Sequence, residues 1–393
     1  MDVAEPVTGR RAEKRALLLA FSCFGAFWGA WSALVPAIQA QTGLSDGQLG
    51  LCLAAIPLGS LPATRLAGRL VDRHGSARVL PLVLAGFALS VPLPAFARNG
   101  LALALCFVVL GAATGLLDVV INVVTAAWER LEDDRLMALC HAAFSAGVLV
   151  GSISTGISRD IGADPVHVLP VVGVLLLGLS LRQPAYRPAA DEGQGQLSRR
   201  RLPRVLLLIG VLVAASFLVE DAVQSWSALR LEGGLGAPPW VGGLGPGLFA
   251  GAMTVGRLAT HRLGVRHTEV RIVAVGGVLI AAGSLLLALA GSPAVALVGI
   301  VIVGAGTSVL APTLFSAVGA RSEAGRQGAD LAAVSALGYL GFVAGPPLVG
   351  LISGATSLPV SLGLLGVLGL ALAAAAPAVL RAPTLVTRSA EEH

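Results

Sequence analysis

The sequence predicts an all-α membrane protein with twelve transmembrane helices in two pseudo-symmetric six-helix bundles. Three observations predict it. Only 12% of the 393 residues are charged against 55% hydrophobic, with 50 glycines and a mean hydropathy of +0.83, whereas a water-soluble domain keeps roughly 25% charged. The chain also divides into twelve apolar runs of about the 20 residues that a bilayer requires. Finally, short segments of the first half return in the second at a nearly constant offset. The many small residues suit helices that approach closely in lipid.

The runs follow in order between polar stops. The first, 16–38, comes after the basic cluster Arg10, Arg11, Lys14 and Arg15 and holds Trp31-Ser32-Ala33-Leu34. Its basic start imitates a signal peptide, but its apolar run is too long for one. Runs 47–66 and 79–97 flank a charged turn, and Arg98-Asn99-Gly100 separates the third from 101–127. Run 137–157 carries Gly147-x-x-x-Gly151, and run 166–181 closes the first half. Polar residues 185–203, including Asp191-Glu192-Gly193-Gln194-Gly195-Gln196, read as a cytoplasmic linker between an N-terminal bundle, 1–184, and a C-terminal one, 204–393. Run 204–229 repeats the tryptophan motif as Trp226-Ser227-Ala228-Leu229, 195 residues on. After 240–260 and 271–291, Gly291-Ser292-Pro293 breaks the chain before 294–318. There Gly304-Ala305-Gly306-Thr307 answers Gly111-Ala112-Ala113-Thr114 at an offset of 193. Run 327–352 repeats the glycine pair as Gly341-x-x-x-Gly345, 194 residues on, and 358–380 is last. Parallel repeats of this kind place a binding site between the halves, near the membrane midplane.

Charge orients the chain. With twelve crossings, 24 of the 27 Lys and Arg residues fall at the termini or in even-numbered connections, and only Arg98, Arg159 and Arg230 in odd-numbered ones. The positive-inside rule then puts both termini in the cytoplasm, with the protein in the cell membrane. This distribution accounts for the net charge of +5 without a nucleic-acid partner. Cys23, Cys52, Cys106 and Cys140 lie in apolar runs at unrelated spacings, so neither a disulfide framework nor a metal site is expected. No cofactor is expected either. Enzyme function is disfavoured, because the glycine runs Gly233-Gly234-Leu235-Gly236 and Gly242-Gly243-Leu244-Gly245-Pro246-Gly247 lack the strand, Lys and Ser/Thr of a phosphate loop.

The turn between the second and third runs reads Gly68-Arg69-Leu70-Val71-Asp72-Arg73-His74-Gly75-Ser76-Ala77-Arg78, with a partial copy at Gly256-Arg257-Leu258-Ala259-Thr260-His261-Arg262-Leu263-Gly264, 188 residues on. It resembles the signature loop of the major facilitator superfamily, Gly-x-Leu-x-Asp-Arg-x-Gly-x-x-Arg. The resemblance implies a secondary transporter working by alternating access, with Gly68, Asp72, Arg73, Gly75 and Arg78 at a cytoplasmic gate. There Asp72 would meet the N-terminal end of the eleventh helix, where a carboxylate is favoured. The second copy has Thr260 or His261 in place of the aspartate, so an asymmetric gate is expected.

Residues that do not repeat are the candidates for chemistry. Asp118 lies inside the fourth run opposite Ala311 of the tenth, with Asn122 one turn on along the same face. A carboxylate inside a membrane is costly and belongs to a cavity or a relay, or else is a structural group held by a neighbour. Glu220 and Asp221 in the seventh run, matched at that offset to Gly25 and Ala26, are further candidates, one of the two facing the cavity. His141 can switch charge near neutral pH. Together these four are the proton-coupling candidates. Trp28, Trp31 and Trp226 offer flat apolar faces for a solute or anchors at the membrane surface. Asn122, Ser145, Gln224 and Tyr339 complete the substrate-binding candidates.

The segment Gly115-Leu116-Leu117-Asp118-Val119-Val120-Ile121-Asn122 is similar to the fourth-helix motif of fucose-permease-like sugar/proton symporters. That resemblance implies coupling through Asp118 and sugar contact through Asn122, although Val123 stands where that family has Pro. The expected function is proton-coupled transport of a small polar solute, sugar-like on this resemblance, by a monomer. The alternatives are proton-driven efflux of a drug-like compound or metabolite, and a non-transporting sensor or scaffold. Efflux is weakened because Gly151-Ser152 replaces the Gly-Pro pair of drug antiporters.

Overall fold

The basic N-terminal cluster and the first apolar run form one helix, α1 (Val7–Thr42), longer at both ends than the apolar run alone. The computed structural model describes residues 7–132, 136–184, 186, 202–263, 267–323 and 326–381. Most of these are helical, with no strand among the described residues. After α1 come α2 (Asp46–His74), α3 (Ser76–Ser90), α4 (Gly100–Glu132), α5 (Leu136–Asp160) and α6 (Pro165–Ser180). The second half holds α7 (Arg204–Leu235), α8 (Pro239–Leu263), α9 (Glu269–Leu289), α10 (Pro293–Arg321), α11 (Gln327–Ala355) and α12 (Leu358–Leu380).

Ten of these segments are long and apolar enough to cross a membrane, α3 because a 3-10 turn, Leu93–Phe96, carries its apolar span on to Phe96. The other two are α6, apolar but short, and α8, which has ample length but whose six glycines dilute its hydropathy. Each coincides with a predicted run. Two helices are broken where proline dictates it. The interruption of α2 at Ala54 precedes Pro57, and that of α10 at Val309 precedes Pro312. In each case the proline ring opposes the carbonyl four residues back, Leu53 or Ser308, and removes one N–H bond. The first part of α2 starts on a capping box, in which Ser45 and Gln48 exchange side-chain and backbone hydrogen bonds.

Two compact units emerge, one of Met1–Glu192 with Pro238–Gly247 and one of Gly193–Ala237 with Leu248–His393. Of the predicted linker 185–203, only residues 186, 202 and 203 are among those described. Arg135, Arg187, Arg199, Arg200, Arg201, Arg266 and Arg388, counted in the charge tally, lie outside the described residues, as does Gly264. The side chains of Thr260, His261 and Arg262 lie outside them too. Tyr186 is buried and donates its hydroxyl to Gln183 at 2.7 Å. That burial, with Glu13 and Cys140 nearby, pushes its phenol well above its usual range.

Packing within each unit follows one plan. In the first, α1 lies on α5, α2 on α4, α3 on α4 and on α6. In the second, α7 lies on α11, α9 on α10 and on α12, and α8 meets α10 where Gly304 faces Phe249. Every pairing thus recurs six helices later. The glycine pairs explain the closest approach. A Cβ at Gly147 or Gly151 would fall on the backbone carbonyl of Ser22 or Ala26, and one at Gly341 or Gly345 on that of Ala214 or Leu218. Both partners recur 192 residues on. The tryptophan motif repeats at 195, so Trp31 and Trp226 are not equivalent in the packing. At the packing offset Glu220 answers Trp28 and Asp221 answers Gly29, rather than Gly25 and Ala26. The acids still lack an acidic counterpart.

The same plan governs the helix ends. Gln41, at the end of α1, donates to the carbonyls of Ala95 and Ala97 at 2.9 and 2.6 Å. Arg230, near the end of α7 and only 4% exposed, donates to Ala288 and Ala290 at 3.2 and 2.9 Å, each 193 residues on. Both side chains satisfy carbonyls left open where a helix stops, and the guanidinium also opposes the negative end of α9. Arg159, in the last turn of α5, donates instead to Ala33, inside α1, at 2.7 Å. Two of the three basic residues in odd connections therefore tie the end of their own helix to a neighbouring one. At the opposite end of the second unit, Arg321 pairs with Glu269 at 3.0 Å and reaches the last turn of α12 at Leu380.

Candidate functional site

Asp118 is the nineteenth residue of α4, about 27 Å along a helix rising 1.5 Å per residue. It continues the face on which Gly111 and Gly115 press against Ile56 and Ser60 of α2. Asn122 donates its Nδ2 to the Asp118 carbonyl at 2.8 Å and to its Oδ1 at 3.2 Å, so one amide fixes the carboxyl. One turn before it, Thr114 keeps a buried hydroxyl without a hydrogen-bond partner. The corresponding Thr307 of α10 instead donates to Val303 at 2.9 Å. A polar strip Thr114, Asp118, Asn122 thus belongs to the first half alone.

In the second half, Phe217, Glu220, Asp221 and Gln224 lie within about 100° of one another around α7. Glu220 is at the middle of the helix rather than toward its end, and is half-buried. Its Oε1 stands 3.8 Å from a guanidinium nitrogen of Arg257 on α8. Asp221, also half-buried, takes a hydrogen bond from Ser225, one turn on. Both acids therefore lie at depth, each with its own partner.

The aromatic candidates divide. Trp31 is 2% exposed and packs edge-on against Phe107 at 5.0 Å, and Trp226 is fully buried. Both serve helix packing here. Trp28 is half-buried beside Phe27 at 5.1 Å and Phe24 at 6.4 Å. Tyr339 is 46% exposed and adjoins Phe217 and Phe342, which stack at 4.4 Å. These clusters occupy mirrored places with exchanged parts. Gly25 of α1 presses on Phe144 of α5, whereas Phe217 of α7 presses on Gly338 of α11. Gln224 is half-buried. His141 is exposed, edge-on to Phe21 at 5.5 Å, and its carbonyl accepts from Ser145 at 3.1 Å.

The signature segment is less of a loop than the sequence suggested. Gly68, Asp72 and Arg73 belong to the last turns of α2, because exposed charged residues continue a helix readily once it leaves an apolar environment. The turn itself is Gly75, whose φ of 79° favours glycine and whose N–H bonds Val71 at 2.8 Å. Asp72, Arg73 and Arg78 are exposed. In the second copy, Arg257 is a residue of α8 paired with Glu220, not a loop charge. By sequence Arg257 belongs to the motif, and the signal of its pairing is an Arg inside run 240–260 when the preceding run holds Glu220-Asp221.

Residues 16–288 match the family model of the Major Facilitator Superfamily. An uncharacterized MFS-type transporter of Yersinia pestis is 34% identical over 369 residues, spanning 92% of this chain and 94% of that protein. Among solved structures, a bacterial homolog of the human lysosomal transporter Spinster superposes with a TM-score of 0.80 at 15% identity, over 97% of this chain and 98% of the other. The nucleoside transporter NupG gives 0.80 at 11% identity, over 94% and 99%. At such identities the likeness is one of fold. The chain belongs to the Major Facilitator Superfamily: it is a helical transporter of a small-molecule substrate, embedded in the membrane, and not an enzyme.

Proposed function

We propose that this transporter couples a small polar solute to the movement of protons by alternating access, as a monomer in the cell membrane with both termini cytoplasmic. The supporting observation is Asp118, an acid at the middle of α4, held by Asn122 and unmatched in the second half, where Ala311 stands. Glu220 and Asp221 contribute a second acidic station on α7. The bundles are taken as 1–184 and 204–393, joined by 185–203. Solute contacts are assigned in the first half to Trp28, Asn122 and Ser145 and in the second to Gln224 and Tyr339, with His141 a further proton-coupling candidate. A sugar-like solute suits a carboxyl, an amide and flat aromatic rings as contact groups. The exposed aromatic surface of Tyr339 beside Phe217 favours a second reading, proton-driven export of a more apolar compound.

One experiment separates the two. Purified protein in vesicles holding a pH-sensitive dye receives candidate solutes from outside, sugars first. Symport is expected to acidify the lumen as solute enters, whereas exchange against protons makes it more alkaline. No dye response to any solute class, with solute still moving, would remove proton coupling. In the same reading Gly68, Asp72, Arg73, Gly75 and Arg78 form the cytoplasmic gate. Asp72→Asn is expected to raise the labelling of single cysteines from the cytoplasmic side and lower it from the other. An unchanged pattern would leave Asp72 with topology alone.

A further inference from the structure

The two adjacent acids of α7 are held by chemically different partners. We propose that Asp221, not Glu220, is the carboxyl that takes up and releases the proton in the second half, and that Arg257 is a positioning residue that keeps Glu220 ionised. The proposal rests on the proton-coupled reading above and divides the work of its second acidic station.

The argument begins with charge. An ionised side chain at the middle of a membrane helix is costly unless an opposite charge pairs with it. Glu220 and Arg257, 3.8 Å apart, cancel as a pair. A second carboxylate beside them would be uncompensated, because the helices packed on α7 bring no other charge at this depth among the described side chains. On α10 and α11 the charged residues are Arg321, Arg326 and Asp330, all near one end and engaged there: Arg321 with Glu269 and Arg326 with Asp330 at 3.6 Å. The charged residues of α7 itself other than the two acids, Arg204, Arg230 and Glu232, lie near its ends, and α12 carries none. Tyr339 is the remaining titratable group on α11 near Phe217. One carboxyl of the pair is therefore the neutral one, and neutral means protonated.

Donor chemistry selects which. A guanidinium only donates hydrogen bonds, so it suits a carboxylate and offers nothing to a protonated acid's O–H. A hydroxyl donates to a carboxylate and accepts from a carboxylic acid, so it serves both states. Glu220 faces the guanidinium and Asp221 the hydroxyl of Ser225. Asp221 can thus exchange a proton with water while its partner stays, whereas protonation of Glu220 would strand Arg257. The proton arrives from the aqueous phase, forms the O–H of Asp221, and returns to water on the other side.

Infrared titration of the reconstituted protein, which needs no known solute, reads this through the C=O band of protonated carboxyls. Asp118 and Asp221 are expected to supply that band together. Asp221→Asn should lower it by roughly half, and Asp221→Glu should restore it. Arg257→Gln should enlarge it by roughly half as Glu220 takes a proton. A band lowered by Glu220→Gln and kept by Asp221→Asn overturns the proposal, as does an Arg257→Gln protein, shown folded by its melting curve, with an unaltered band. If Arg257→Gln does not fold, the two carboxyl variants decide. A wild-type protein without any such band at mildly acidic pH defeats the proton-coupled reading itself. A band that Asp118→Asn lowers and Asp221→Asn does not defeats this inference alone.

Discussion

Asp118→Asn is expected to reduce proton-driven solute accumulation to the level of empty vesicles while leaving the fold intact. Asparagine keeps the shape of the side chain and an oxygen to accept the Asn122 amide, now 3.2 Å from Asp118 Oδ1. It cannot bind and release a proton. The stability prediction has a definite sign. An ionised carboxylate at this depth costs about 2.5–3.5 kcal/mol, so removing the charge should hold or raise the melting temperature. If Asp118 were merely structural, the opposite pattern would appear, with transport retained and the melting temperature lowered. Dye-loaded vesicles and a thermal melt on one preparation read both. Downhill movement of solute should survive in the variant, because it needs the binding surface and not the proton. Unchanged accumulation would remove Asp118 from the coupling mechanism.

The legible part of this fold was the part written locally. Hydropathy and turn residues located each crossing, including the glycine-diluted α8, because the requirement to span a bilayer acts on every segment separately. Helix ends were shorter in the reading than in the structure, since an apolar run marks the hydrocarbon region whereas α1 continues past it from Val7 to Thr42. The breaks at Ala54 and Val309 are written in the sequence as Pro57 and Pro312. Tertiary pairing was harder to read. The tryptophan motif suggested an offset of 195, while the helix contacts that fix equivalence lie at 192 on α1 and α7. Three residues turn a helix by about 300°, so that error changes which side chain answers Glu220. Likewise Arg257 belonged by sequence to a cytoplasmic motif, and only the neighbouring helix shows its carboxylate. Trp31 and Trp226 looked like solute contacts because tryptophan suits them, and their burial is a property of neighbours far along the chain.

Gly147→Leu is expected to prevent folding of the first half, with a cost of about 3 kcal/mol or more. The reason is that α1 and α5 meet backbone to backbone: the first side-chain carbon at Gly147 would coincide with the carbonyl of Ser22, and a rigid helix cannot yield locally as a flexible side chain would. In lipid there is no hydrophobic gain between helices to compensate for lost contact, so close packing carries much of the association. The whole crossing would have to open, undoing the contacts of Gly25, Gly29 and Gly151 as well. Gly341→Leu should behave the same way in the second half, since its new carbon would meet the carbonyl of Ala214. Gly86→Leu on α3 is the control, with open space around its position and a small effect expected. Size-exclusion profiles and thermal melts of the three variants compare them directly. Equal tolerance of all three would mean that the glycine crossings do not hold the bundles together. The repeat would then reflect ancestry without present mechanical use. Failure of Gly147→Leu and Gly341→Leu alone would show that each half relies on the same seam, the property needed if each bundle moves as a body during transport.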